Sequence, residues 1–429
     1  MSRSVRFFLT GIPLLALVTT LPPLLMATSK GGSAAFYLIL VFALMTLASL
    51  PRNHDHSERL TTVKSTLIAA LGLSVFAVVI SQWVNGTWSG SEFERALRLM
   101  LGLMLVFTAL CRIPAAYLRW PIMGMLAACW VTAATIFPLA WQSGGRPQTE
   151  EYNAVTYGNL TLLFGVLMVY SLGWRLTRWP RMEALIKVLS AAAAFSGFLL
   201  TETRTGWLAV PVFVLVGVAL FNHRTSLWRG VVLCTLTIAA VAAVGTSSPA
   251  LRHRAEAGMQ EVAHCRTAPL TDSSMCIRLQ LWSAAWQMFE ANPLSGVGGG
   301  KPFVRELQNA GARGEVSAFV AKNFGEPHND MLYALATSGI LGGLALLAAY
   351  FVPAWLFIRR LLIPALDPTL RVPAAMGLAV CIGFALFGTT ELMFRGMRTV
   401  SFYAVTVAWL LAATYSATPA RMTRDGVAG

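Results

Sequence analysis

The sequence predicts an all-α polytopic membrane protein, with about twelve transmembrane helices and one large loop on the outer side. Three observations carry that expectation. Hydrophobic residues make up 56% of the 429 residues and charged residues only 12%, with a mean hydropathy of +0.62, far from the soluble balance of roughly a quarter charged. Apolar runs of about twenty residues recur along the chain, the length that crosses a hydrocarbon core of about 30 Å at 1.5 Å per helical residue. Lys and Arg divide unevenly between alternate loops, as the topology rule for membrane proteins requires.

The runs are Phe7–Met26, Ala34–Leu50, Ser65–Val84, Phe93–Leu110, Pro121–Trp141, Tyr157–Trp174, Ala184–Leu200, Thr205–Phe221, Gly230–Gly245, Met331–Phe357, Pro373–Thr390 and Val400–Tyr415. The first follows Arg3 and Arg6 and precedes Ala27 and Ser29 in the manner of a signal peptide. Its apolar part exceeds an ordinary signal core, so an uncleaved first helix is expected. Phe93–Leu110 carries Glu94, Arg95 and Arg98 in its first turns and retains a short apolar core. The chain divides into helices over 1–246, a polar loop over 247–329 and further helices over 330–429.

A cytoplasmic N-terminus puts 18 Lys and Arg on the cytoplasmic side and 7 in the short outer loops. The other 8 lie in the long loop, which the rule exempts. Both termini are therefore expected in the cytoplasm and the long loop outside. The same rule accounts for the net charge of +14 without a nucleic-acid partner.

The long loop holds Cys265 and Cys276, eleven positions apart. On an oxidising side of the membrane this pair closes a disulfide just ahead of Arg278; the alternative is two free thiols. Arg278–Ala291 reads as an amphipathic helix, with Leu281, Trp282, Ala285, Trp286 and Phe289 at three- and four-residue intervals. It is either a helix lying on the membrane face or one that sets Arg278 at a lipid-level entrance. Pro293–Phe303 is a helix stop followed by a glycine-rich turn, without the strand context or spacing of a nucleotide site.

Arg204 occupies a very short connection between two apolar helices, where a charge is costly and is usually paired or functional. Glu202 either neutralises it or leaves it available. His328 opens the next apolar helix, where the helix N-terminus disfavours a protonated imidazole; it is either a cap or a proton acceptor. Two arginines can hold a pyrophosphate and stabilise the charge that grows on a phosphate leaving group, while a histidine positions or deprotonates a hydroxyl. No Asp-x-Asp pair occurs, and no Cys/His spacing suits zinc. No metal or other cofactor is expected.

These features resemble the O-antigen ligase and polymerase family of bacterial inner-membrane glycosyltransferases, and within it the ligases. Arg204-Thr205-Gly206-Trp207-Leu208 matches that family's arginine with leucine four residues on. Pro293–Phe303 is similar to its Pro-x-x-Gly-x-Gly turn after an arginine-bearing amphipathic helix, and His328-Asn329 with Gly339 fits its histidine with a glycine eleven residues later.

The resemblance implies a GT-C-like architecture and inverting, metal-independent transfer at the periplasmic face. The donor would be undecaprenyl-pyrophosphate-linked O-antigen, and the acceptor a sugar hydroxyl of the lipid A-core oligosaccharide. Carried over by position, Arg204 and Arg278 bind the pyrophosphate and His328 activates or orients the hydroxyl. Glu202 could orient Arg204, and Glu326 could compete with His328 as base. Lys301, Arg395 and Arg398 stand as further phosphate or core-oligosaccharide contacts. Polymerases of the superfamily typically show two substantial arginine-bearing outer loops, whereas Trp141–Tyr157 is short here. Protein-modifying relatives usually carry a larger C-terminal external domain, and this sequence ends at Gly429 soon after its last run. A transporter without catalysis would tend to show internal repeats and midplane polar residues, and neither is found.

Overall fold

A computed structural model describes residues 3–28, 30–51, 57–143, 147, 149, 152–203, 205–221, 232, 235, 239, 260–261, 263–363 and 366–415. Among the described residues the secondary structure is helical, without strands. We number the helices α1 (Ile12–Ala27), α2 (Gly31–Ser49), α3 (Ser57–Val84), α4 (Gly90–Leu110), α5 (Ile122–Ser143), α6 (Ala154–Tyr170), α7 (Pro180–Leu200) and α8 (Gly206–Phe221). The loop contributes α9 (Ser274–Ala291), α10 (Lys301–Ala312) and α11 (Ala318–Asn323), and the chain continues through α12 (Asp330–Leu361), α13 (Pro368–Phe387) and α14 (Met397–Tyr415).

Nine helices among the described residues are long and apolar enough to cross a membrane, against the dozen runs expected. Two of the other three runs coincide with α4, which carries several charges, and α8, whose apolar stretch Gly206–Val218 is short. Of the run at Gly230–Gly245 only residues 232, 235 and 239 are among the described residues. The charges of α4 are satisfied internally. Arg98 is 6% exposed and bonds Glu94 (2.7 Å), Tyr37 (3.1 Å) and Ser401 (3.0 Å), with its guanidinium over the Phe36 and Tyr37 rings. Pairing of this kind lets a charged residue sit deep in an apolar bundle.

The central core is built by α6, α13 and α14, where Tyr157, Phe164, Phe384, Phe402, Tyr403 and Trp409 are fully enclosed. Around them α14 packs on α4, α12 on α3 and α13, α6 on α7, and α1 on α5. The loop helices form a second, smaller core of Leu281, Ala284, Ala285, Met288, Phe303 and Leu307, seated against Tyr333 and Ala336 of α12. On α9 the buried stripe therefore runs through Ala284 and Met288, and Trp286, expected on that face, is exposed.

Two sequence motifs turn out to be halves of one backbone interlock. The glycine-rich turn bonds α12 through Val297 N to Ala336 O (2.8 Å) and Gly298 N to Thr337 O (3.0 Å), and Ile340 N returns a bond to Pro293 O (2.8 Å). Gly339 interrupts the helical geometry of α12 with φ 63° and ψ −156°, a conformation that suits glycine alone. A Cβ there would stand 2.4 Å from the Leu294 carbonyl carbon and oxygen, and one on Gly296 would stand 2.3 Å from the Thr337 carbonyl carbon. Gly339→Ala is therefore expected to cost about 1–3 kcal/mol from backbone strain alone, plus the separation of the two segments. A lowered melting temperature of the detergent-solubilised protein, followed by size-exclusion fluorescence, checks this; unchanged melting would show the interlock to be dispensable.

Candidate active site

The polar residues converge where α12 and α14 begin and α13 ends. The chain enters α12 through Glu326-Pro327-His328-Asn329, and Asn329 caps the helix by accepting from Leu332 N at 3.0 Å, which satisfies one of the unpaired first-turn amides. Its Nδ2 donates to Thr389 O at 2.8 Å, tying the cap to the segment after α13. Asp330, 4% exposed, tightens that tie. Its carboxylate accepts from Tyr350 Oη (2.6 Å), Met393 N (3.0 Å) and Phe394 N (3.2 Å), and its own N–H donates to Gly388 O (2.8 Å). Residues 388–396 are thus clamped against the start of α12.

That clamp delivers Glu391 and Arg395. Glu391 is 3% exposed, and its Oε1 lies 3.0 Å from His328 Nδ1. Glu326 Oε1 lies 3.7 Å from the same nitrogen, and its other oxygen pairs with Arg395 Nη1. His328 has φ 49°, the left-handed region uncommon for residues other than glycine, asparagine and aspartate. The fold holds it there from both sides, through Asn329 and through the Trp282 indole, which donates to Pro327 O at 2.9 Å. Strain of this sort persists where the surroundings over-determine it, and it clusters at functional sites.

Burial works to raise the Glu391 carboxyl. The His328 hydrogen bond, the imidazole charge, the Leu392 N–H and the Arg278 charge outweigh it and hold the carboxyl below its ordinary range. An ionised carboxylate in this position can accept a proton from Nδ1, an arrangement that makes Nε2 the basic nitrogen of a neutral imidazole.

Arg278 is half-buried in the first turns of α9, one turn before Trp282, and it is close enough for Glu391 to feel its charge. Among the described residues it has no carboxylate within 4.0 Å, so its guanidinium is available to an anion. Ser273 caps this helix, and Cys265 is bonded to Cys276 with their Cα atoms 5.3 Å apart, which closes the loop two residues before Arg278.

Other predicted positions lie apart from this group. Arg204 lies outside the described residues. Its neighbours form a tight turn in which Glu202 has φ 52°, Thr203 Oγ1 donates to Ala154 O (3.0 Å) and Thr205 Oγ1 to Asn159 Oδ1 (3.2 Å). Arg398 is half-buried with its guanidinium 4.2 Å above the Tyr152 ring. Lys301 is exposed at the start of α10, next to Gly300, whose N–H donates to Tyr333 Oη. Beside Arg395, Glu92, Arg95 and Tyr333 line a cavity of about 120 Å³, within which Glu92 accepts from both Tyr333 Oη (2.8 Å) and Arg95 (2.9 Å).

Glu391 was not expected from the sequence. The available signal was a carboxylate placed directly after an apolar run, which is costly unless partnered; its partner lies 63 residues away. The same distance hid a possible ligand set. Glu326, His328 and Glu391 offer donor atoms within 4.8 Å of one another, where the sequence suggested no ligands for a divalent ion. Arg395 and the imidazole already engage those carboxylates.

Residues 189–347 match the protein-family model described as O-antigen ligase. The matched segment holds Arg204, Arg278, the glycine-rich turn, His328 and Gly339, and it stops short of Glu391 and Arg395. An uncharacterized protein of Haemophilus influenzae is 23% identical over 165 residues, a stretch covering 38% of this chain and 40% of the relative. The match therefore spans less than half of that relative's length. Residues 189–347, 159 of the 429, are thus the part of the chain that is similar to the O-antigen ligase family.

Proposed function

We propose that the protein transfers O-antigen from undecaprenyl pyrophosphate to a sugar hydroxyl of the lipid A-core oligosaccharide, at the periplasmic face of the bacterial inner membrane. The observation that carries this reading is His328 with Nδ1 against a buried carboxylate, with Arg278 nearby and no carboxylate within 4.0 Å of it among the described residues. Glu391 holds the imidazole so that Nε2 accepts the proton of the acceptor hydroxyl. The acceptor oxygen attacks the anomeric carbon from the face opposite the pyrophosphate. The bond from that carbon to the pyrophosphate oxygen breaks with its electron pair, and the anomeric configuration inverts. Arg278, together with Arg204, takes up the charge that develops on the leaving pyrophosphate. Glu326 is neutralised by Arg395, which leaves His328 the better base.

A reconstitution tests the whole reading. Purified protein, lipid-linked O-antigen and rough lipopolysaccharide are incubated with EDTA and resolved on a gel. The expected result is a glycan ladder on the lipopolysaccharide. Longer chains on the lipid carrier alone would identify a polymerase. Activity abolished by EDTA and restored by a divalent ion would mean that Glu326, His328 and Glu391 act as ligands.

A further inference from the structure

The end of the bundle opposite the candidate site carries a second, unassigned cavity. Since α13 ends beside Glu391 and α14 begins just after Arg395, the start of α13 and the end of α14 lie at the far side. There Thr369, Leu370 and Ala413, the short helical turn Ala115–Arg119 and the segment after α6 enclose a cavity of about 310 Å³.

Its walls mix cations, indoles and hydrocarbon: Arg119 and Arg175 stand with Trp120, Trp174, Leu176 and Leu370. Trp174 is a fixed part of the wall, being 2% exposed with its Nε1 donating to Thr369 O at 2.7 Å. Arg119 reaches across the cavity to the Arg175 carbonyl at 3.4 Å.

Neither Arg119 nor Arg175 has a carboxylate within 4.0 Å among the described residues. The nearby acids are committed elsewhere. Glu183 pairs with Lys187 at 2.7 Å and accepts from Leu176 N and Thr177 N, and Asp367 caps α13 through Thr369 N and Oγ1. Two guanidinium groups without carboxylate partners suit a phosphate ester. Hydrocarbon within the same cavity, and the exposed Trp120 in its wall, suit a molecule whose phosphate lies at headgroup depth.

We infer that this cavity binds the phosphate of an anionic phospholipid headgroup, held by Arg119 and Arg175 against Trp120 and Trp174. The site is separate from the glycan-transfer machinery, so it stands or falls independently of the function proposed above.

The test uses the full chain in nanodiscs of phosphatidylcholine with or without phosphatidylglycerol, read by native mass spectrometry and by melting. Wild-type protein is expected to retain phosphatidylglycerol and to melt higher in its presence. The Arg119→Gln/Arg175→Gln variant should retain about tenfold less and lose the melting increment, while melting like wild type in phosphatidylcholine alone. Arg119→Lys/Arg175→Lys keeps the charge and should retain part of the binding, which separates loss of the site from damage to the fold. Wild-type retention by the glutamine variant would overturn the site. Inorganic phosphate giving the same increment in phosphatidylcholine, with no preference for phosphatidylglycerol, would overturn the lipid as its occupant.

Discussion

Replacing His328 by asparagine is expected to lower the proposed glycan transfer by about 10²–10⁴-fold, the usual worth of a positioned general base, and to leave the chain folded in the membrane. Asparagine is the informative substitution because position 328 has φ 49°, which asparagine tolerates and alanine does not. Backbone strain is thereby separated from loss of the imidazole. Membrane yield and melting should match wild type while ladder formation collapses; activity near wild type would remove His328 from the base role.

Glu391→Gln provides the companion measurement. An amide donating to Nδ1 leaves the proton on Nε2, where no further proton can be accepted, so transfer falls although the ring stays in place. The pH dependence has a definite sign. Glu391 titrates below its ordinary range in the folded state, so its contribution to stability is complete above the unfolded carboxylate value of about 4.3 and is lost as pH falls through the lower folded value.

Arg278→Lys is expected to lower the transfer rate by about 10²–10³-fold, in the range for removal of one charge-stabilising donor. A lysine keeps a point charge but cannot present two parallel donors to a phosphate. Donor binding should weaken less than the rate, because charge on the pyrophosphate grows as the bond to the sugar breaks. The position lies outside the main apolar core, and Trp282 holds its helix to Pro327, so folding should be unaffected. A variant impaired only in donor KM would reduce Arg278 to a binding contact.

The legibility of each feature follows from how local its cause is. The α9 helix, the glycine turn and the helix start at His328-Asn329 announce themselves through short-range signals: periodicity, chain reversal and capping. Arg278 and His328 stood out because a polar group beside membrane-length apolar runs needs a reason. Glu391 escaped because its reason is a partner 63 residues away. Arg395 drew notice as a phosphate contact, whereas the structure pairs it with Glu326. The charges in α4 obscured its role for the same cause, since Tyr37 and Ser401, which bond Arg98, come from other helices.

By itself the sequence determined a helical membrane protein and the residue types at its polar end, because apolar length and charge placement are properties of contiguous chain. Only the tertiary structure decided which of those residues meet. The Gly296–Gly339 interlock sets the glycine turn on α12, and the Asp330 clamp brings residues 388–396 against His328. Both depend on backbone groups far apart in sequence whose approach is settled by packing.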